Sequence, residues 1–100
     1  MGELNEIIHQ PARLRIMSAL MVLDPDEQME FTQLGRLLKL TDGNLGAHLL
    51  KLEEAGYVKA EKSFVDRKPR TYLKISARGR AEFEAHVAAL KEILRPRKSG

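Results

Sequence analysis

The chain has 100 residues, 43% of them apolar: enough for one domain with a core, though a core this small gains from a partner subunit. It lacks cysteine, which excludes disulfides and thiolate metal sites, and no apolar run reaches the roughly 20 residues a membrane helix needs. Net charge is +3 and unevenly placed, with four Lys/Arg against six Asp/Glu in residues 1–40, seven against five in 41–75 and six against three in 76–100, which favours a polyanion on one face.

Leu4, Ile7 and Ile8 suggest a short opening helix. Pro11 suits the first position of a second helix, where its missing N–H is no loss. Leu14, Met17, Leu20 and Met21 give that helix an apolar stripe, with Arg13 and Arg15 lying off it, and Asp24-Pro25-Asp26 stops it. Met29-Glu30-Phe31 is long enough for a one-bridge strand. Thr32 can cap a helix with Leu34, Leu37 and Leu38 on one face, and Thr41 can cap the next, in which Leu45, Leu49 and Leu52 recur on one face. Gly56 then supplies the left-handed residue at which helices commonly end. Two helices joined this way form a helix-turn-helix, whose second helix can enter a DNA major groove.

After Gly56 the apolar period falls to two. Residues 57–65 read as one strand and Thr71-Tyr72-Leu73-Lys74-Ile75 as its partner, joined by a tip at Asp66-Arg67-Lys68-Pro69-Arg70. Ser76 can cap a last helix, with Phe83, Val87, Leu90 and Leu94 at alternating spacings of four and three. Residues 1–95 are therefore expected to form one domain and residues 96–100 a frayed basic tail.

The run Leu-Thr-Asp-Gly-Asn-Leu-Gly-Ala-His-Leu-Leu-Lys-Leu-Glu-Glu-Ala-Gly-Tyr-Val, beginning at Leu40, resembles the recognition segment of small winged-helix regulators of the MarR and ArsR type. His-Gln-Pro-Ala-Arg-Leu-Arg-Ile-Met before it and Arg-Lys-Pro-Arg-Thr-Tyr-Leu-Lys-Ile-Ser-Ala-Arg-Gly-Arg after it match in the same order. The resemblance implies a mainly helical α+β fold, a winged helix-turn-helix with a two-stranded β-hairpin wing and flanking terminal helices. It also implies a dimeric, double-stranded-DNA-binding transcriptional regulator, a repressor, with residues 42–55 as recognition helix and residues 64–70 as wing. With neither a membrane helix nor a signal peptide in the sequence, a cytoplasmic protein is expected. A winged helix used only as a protein-interaction module is the alternative.

Thr32, Thr41, Asp42, Gly43, Asn44, Gly46, Ala47, His48, Lys51, Arg67, Lys68 and Arg70 are the candidate DNA-binding residues. Among them Asn44 can read adenine through two hydrogen bonds, and Asp42 fits a helix N-terminus better than a base. Gly43, Gly46, Ala47 and Leu50 lie opposite or beside the leucine stripe, and interior glycine costs about 1 kcal/mol relative to alanine. Such small residues serve either close approach to DNA or tight helix packing. The basic tip either reaches phosphates or merely keeps the hairpin solvated. Leu4, Ile7, Ile8, Phe83, Val87, Leu90 and Leu94 are candidates for a dimer interface, though the last helix could instead close the core. His9, His48 and His86 are dispersed, and Glu82 with His86 reads as a solvated surface pair, so no metal or cofactor is expected. No nucleophile-base pair, phosphate-cradling glycine loop or paired-carboxylate motif points to catalysis. No effector pocket can be named.

Overall fold

The computed structural model describes residues 3–95, so the tail expected at residues 96–100 lies outside the described residues. The opening helix expected from Leu4, Ile7 and Ile8 is only a turn at residues 6–8. Asn5 Oδ1 accepts hydrogen bonds from the backbone N–H groups of Ile7 and Ile8 at 2.9 and 3.1 Å, which closes that turn. It cannot run on, because Pro11 forces the preceding residue out of helical geometry and Gln10 is extended at φ −140° and ψ 130°. Helix α1, Pro11–Met21, starts there, with the Gln10 side chain accepting from the Arg13 N–H. Its buried face is Ile16, Met17 and Leu20, while Leu14 and Met21 only flank the core.

Strand β1, Met29–Glu30, leads directly into α2, Phe31–Leu38. The cap of α2 is Glu30 rather than Thr32: its carboxylate accepts from the Thr32 N–H at 2.7 Å, and Thr32 lies exposed inside the first turn. Leu34, Gly35 and Leu38 face the core, whereas Leu37 is 58% exposed. Lys39 ends the helix in the left-handed region at φ 56°, and the Leu40 N–H returns to the Gly35 carbonyl at 3.0 Å. Helix α3, Asp42–Glu54, is capped by Thr41, whose hydroxyl accepts from the Asn44 N–H at 3.2 Å. Leu45, Leu49 and Leu52 are buried as their spacing predicts.

Gly56, at φ 81°, closes α3 with two bonds of the Schellman type, Tyr57 N–H to the Leu52 carbonyl and Gly56 N–H to the Glu53 carbonyl, both 2.9 Å. Strands β2, Val58–Val65, and β3, Lys68–Ile75, follow in an antiparallel sheet of order β1-β3-β2. The tip is shorter than the expected five residues. Only Asp66 and Arg67 turn, both at positive φ (51° and 65°), so Lys68, Pro69 and Arg70 belong to β3. A two-residue turn with both φ values positive matches the twist of paired strands, although neither residue is the usual glycine. β1 pairs β3 only at Tyr72 and Leu73, so Pro69 sits where β3 is an edge on that side and tolerates a missing donor.

Helix α4, Ala77–Leu94, is capped by Ser76. Its inner face is Gly79, Phe83, His86 and Ala89 rather than the full Phe83–Leu94 stripe. Val87 and Leu90 are half-buried and Leu94 is 76% exposed. His86, expected on the surface with Glu82, is buried: its Nδ1 accepts from the Asn5 N–H at 3.0 Å, and the Asn5 side-chain amide donates to both Tyr57 and Glu82. The His9 ring lies 5.3 Å from that of His86. Among the described residues no helix is long and apolar enough to cross a membrane.

At Gly79 an added Cβ would overlap the Tyr57 carbonyl, whereas at Gly46 it would meet nothing within 4 Å. Gly79→Ala is therefore expected to destabilise by roughly 1–3 kcal/mol, and Gly46→Ala to stabilise by up to about 1 kcal/mol, in urea unfolding. Equal midpoints for the two variants would refute this packing. Burial, and secondarily His9, pushes the His86 pKa below its usual 6.5. The unfolded chain then takes up this proton first, so His86 adds stability above about pH 6.5 that is lost as pH falls through the lowered folded value. His86→Gln should flatten the unfolding midpoint against pH in that window, and an unchanged slope would assign the effect to another group.

Candidate nucleic-acid interface

Helix α3 presents two unlike sides. Its leucines hold one side in the core, and the other exposes Gly43, Asn44, Ala47, Leu50 and Lys51. A Cβ at Gly43 or Gly46 would meet nothing within 4 Å, so neither glycine is required for helix packing. Open space lies over both glycines, and Asn44 and Ala47 between and beside them are short. Leu50, at 56% exposure, is the largest apolar group on it. Thr41 and Asp42 are exposed at the helix N-terminus, where Asp42 faces the positive end of the helix dipole.

His48 is the exception. It is half-buried on the flank of α3, and its Nδ1 lies 3.2 Å from Nη1 of Arg13 on α1. The Arg13 Nε–H donates to the Ile7 carbonyl, so the guanidinium also ties down the N-terminal turn. Arg15 acts nearby: its Nη2–H donates to the Leu38 carbonyl at 2.7 Å and satisfies an end group of α2. In the sequence both arginines were visible only as charges off the α1 stripe, because their partners are distant in the chain.

Residues 59–70 of the hairpin are exposed throughout. Antiparallel register puts Lys59, Lys68, Arg70 and Lys74 on one face of the ribbon, whereas Lys62 and Phe64 share the face of Val58, Leu73 and Ile75. Arg67 occupies the turn itself. Arg70 is not a free tip cation: its Nη1 lies 3.7 Å from Glu30, the carboxylate that also caps α2. Lys74 is 3.9 Å from a fully exposed Asp26, a pairing that solvent weakens.

Two of the residues expected at a dimer interface lie inside the protomer's own core, Ile8 at 0% and Phe83 at 8% exposure. Leu4, Ile7, Val87 and Leu90 are half-buried, and Leu94 is exposed beside Ile93. An open groove of about 330 Å³ runs where α4 meets the end of α1, lined by Met21, Phe83, Glu84, Val87, Ala88 and Lys91. Among the described residues no group of three or more His, Asp or Glu side chains could hold a metal ion.

Residues 12–94 match the family model of the winged helix DNA-binding domain. An uncharacterized protein of Methanocaldococcus jannaschii is 36% identical over 88 residues, covering 88% of this chain and 92% of its own. A transcriptional regulator homologue from Pyrococcus horikoshii superposes with a TM-score of 0.80 at 37% identity, over 90% of this chain and 86% of that one. Reduced AbfR bound to DNA, AbfR being a protein of Staphylococcus epidermidis, shares the fold at 23% identity and a TM-score of 0.71, over 87% of this chain and 59% of that one. The chain belongs to the winged helix DNA-binding domain family, a family of DNA-binding proteins rather than enzymes.

Proposed function

We propose that this protein is a transcriptional regulator that binds double-stranded DNA as a homodimer and represses by occupying its site. The observation that carries the reading is the outward face of α3, where open space lies over Gly43 and Gly46 while three leucines hold the helix from behind. A duplex can approach such a helix closely, with its N-terminal half in the major groove. The β2–β3 ribbon, exposed and basic, then lies along the backbone and adjacent minor groove. The AbfR complex with DNA, built on the same fold, supports a duplex as the partner.

Within the groove, Asn44 is the side chain suited to bidentate adenine recognition. Ala47 and Leu50 offer apolar contact, which a thymine methyl group accepts. His48 and Lys51 hold the sugar-phosphate backbone. Thr41, Asp42 and Gly43 contribute backbone donors at the start of α3, Gly46 contributes clearance, and Thr32, whose N–H is taken by Glu30, contributes its exposed hydroxyl. For pairing, Val87, Leu90 and Leu94 remain as an outer edge of α4, joined by Ile93 and the groove beside Ala88. A second copy covering that edge removes apolar surface that is otherwise wet.

Selection of bound sequences from a random duplex pool should return two half-sites about one helical turn apart. Asn44→Ala should erase preference at one position in each half-site, a loss of about 1–3 kcal/mol of discrimination, while Lys51→Ala weakens all sequences alike. An unchanged motif in the Asn44 variant refutes side-chain readout there, and a single unpaired half-site refutes the dimer.

The wing is tested by salt. Replacing Arg67 and Lys68 with alanine should flatten the plot of log affinity against log salt by roughly 0.9 for each phosphate that the wing no longer neutralises. Arg70→Ala should change it less, since that charge is shared with Glu30. A slope identical to wild type in the double variant would make the hairpin a solvated turn only.

A further inference from the structure

We propose that Arg13 is a positioning residue that fixes the tautomer of His48, so that the recognition helix meets DNA with a hydrogen-bond donor at Nε2. The proposal rests on the DNA-binding reading and adds to it the chemistry of one contact. A guanidinium has donors and no acceptor, so a bond between Arg13 Nη1 and His48 Nδ1 requires a lone pair on Nδ1. In the neutral ring the one remaining proton then sits on Nε2.

Three observations fix this arrangement. The Arg13 Nε–H is bonded to the Ile7 carbonyl, which orients the planar guanidinium and with it Nη1. Ile7 in turn sits in the turn closed by Asn5, whose backbone N–H bonds His86 on α4, so the anchor is held from both sides. Finally, His48 Nε2 has no hydrogen-bond partner among the described residues and is not buried, since His86 Nε2 is the one buried side-chain nitrogen or oxygen without a partner among them. The His48 donor is therefore open to an outside acceptor.

The acceptor that fits is a phosphate oxygen. His48 lies on the flank of α3 rather than at its outermost line, where a groove wall and not a base edge is met. Phosphate offers only acceptors, so a ring with a lone pair at Nε2 would be repelled there, and Arg13 selects against that tautomer.

Nitrogen-15 spectra of the histidine rings at neutral pH, in the DNA-free protein, should show His48 protonated at Nε2 alone. Arg13→Met should convert it to a mixture and weaken duplex binding about twofold, the factor by which halving the donor-bearing fraction lowers affinity, without changing the salt slope, because the replaced arginine did not itself touch phosphate. Arg13→Lys, which keeps a donor, should restore part of both. His48→Gln places an amide N–H near the former Nε2 and should bind close to wild type, whereas His48→Asn, whose amide reaches only as far as Nδ1, should bind about tenfold more weakly. A wild-type ring protonated at Nδ1, or an Arg13→Met salt slope flatter by about 0.9, overturns the assignment while leaving DNA binding in place. A wild type with the Nε2–H signature that binds no duplex overturns the DNA-binding reading and, with it, the acceptor assigned here.

Discussion

The structure depends on a knot of backbone contacts where the end of α3, the base of the wing and the start of α4 meet. The Tyr57 carbonyl accepts from the Ser76 N–H at 2.9 Å, and the Ser76 hydroxyl donates to the Gly56 carbonyl at 2.6 Å while accepting from the Gly79 N–H at 2.9 Å. Gly79 lies so near Tyr57 that no side chain fits between them. Gly56 must be left-handed to turn the chain out of α3, and Tyr57 then packs its ring into the core. Four residues thus couple the direction of the recognition helix to that of the wing. A shift at any one of them would move both surfaces relative to each other.

The aim of α3 is set from its other end by a second constraint. Lys39 takes a left-handed conformation that lysine adopts only at some cost, and the bond from Leu40 to Gly35 holds it there. Arg15 reaches across from α1 to the Leu38 carbonyl, so the turn between the two helices is clamped rather than hinged. Both constraints leave the outward side of α3 untouched. The helix is rigid where it meets protein and bare where it faces solvent, a division of roles that suits a ligand as stiff as a duplex.

Polar contacts at the N-terminus form a parallel system. Asn5 binds His86, Tyr57 and Glu82 at once and caps its own turn, and through the Ile7 carbonyl this turn holds Arg13 against His48. A buried histidine with one unpartnered nitrogen is an unfavourable group, and it persists because His86 supplies the acceptor that anchors the segment. The segment before α1 is thus part of the domain's architecture despite lacking a helix of its own.

Local patterns in the chain determined the winged-helix order of elements, because caps, apolar periods and a left-handed glycine are written within a few residues of each other. Thr41, Leu45, Leu49, Leu52, Gly56 and Ser76 all stand where those rules put them. Local rules misplaced what depends on competition between neighbours. Glu30 caps α2 ahead of Thr32, Pro11 breaks the opening turn, and Asp66-Arg67 makes a tight turn without glycine because the paired strands on either side demand it. Counting only hydrophobes also missed Ala89 and His86 as inner residues of α4, since a small side chain and a bonded imidazole bury as well as leucine does. The partnerships of Arg13 with His48 and Arg70 with Glu30 join residues 35 and 40 positions apart, which no periodicity can register. Only the tertiary structure decided them, because a hydrogen bond or ion pair depends on distance in space and the sequence records distance along the chain.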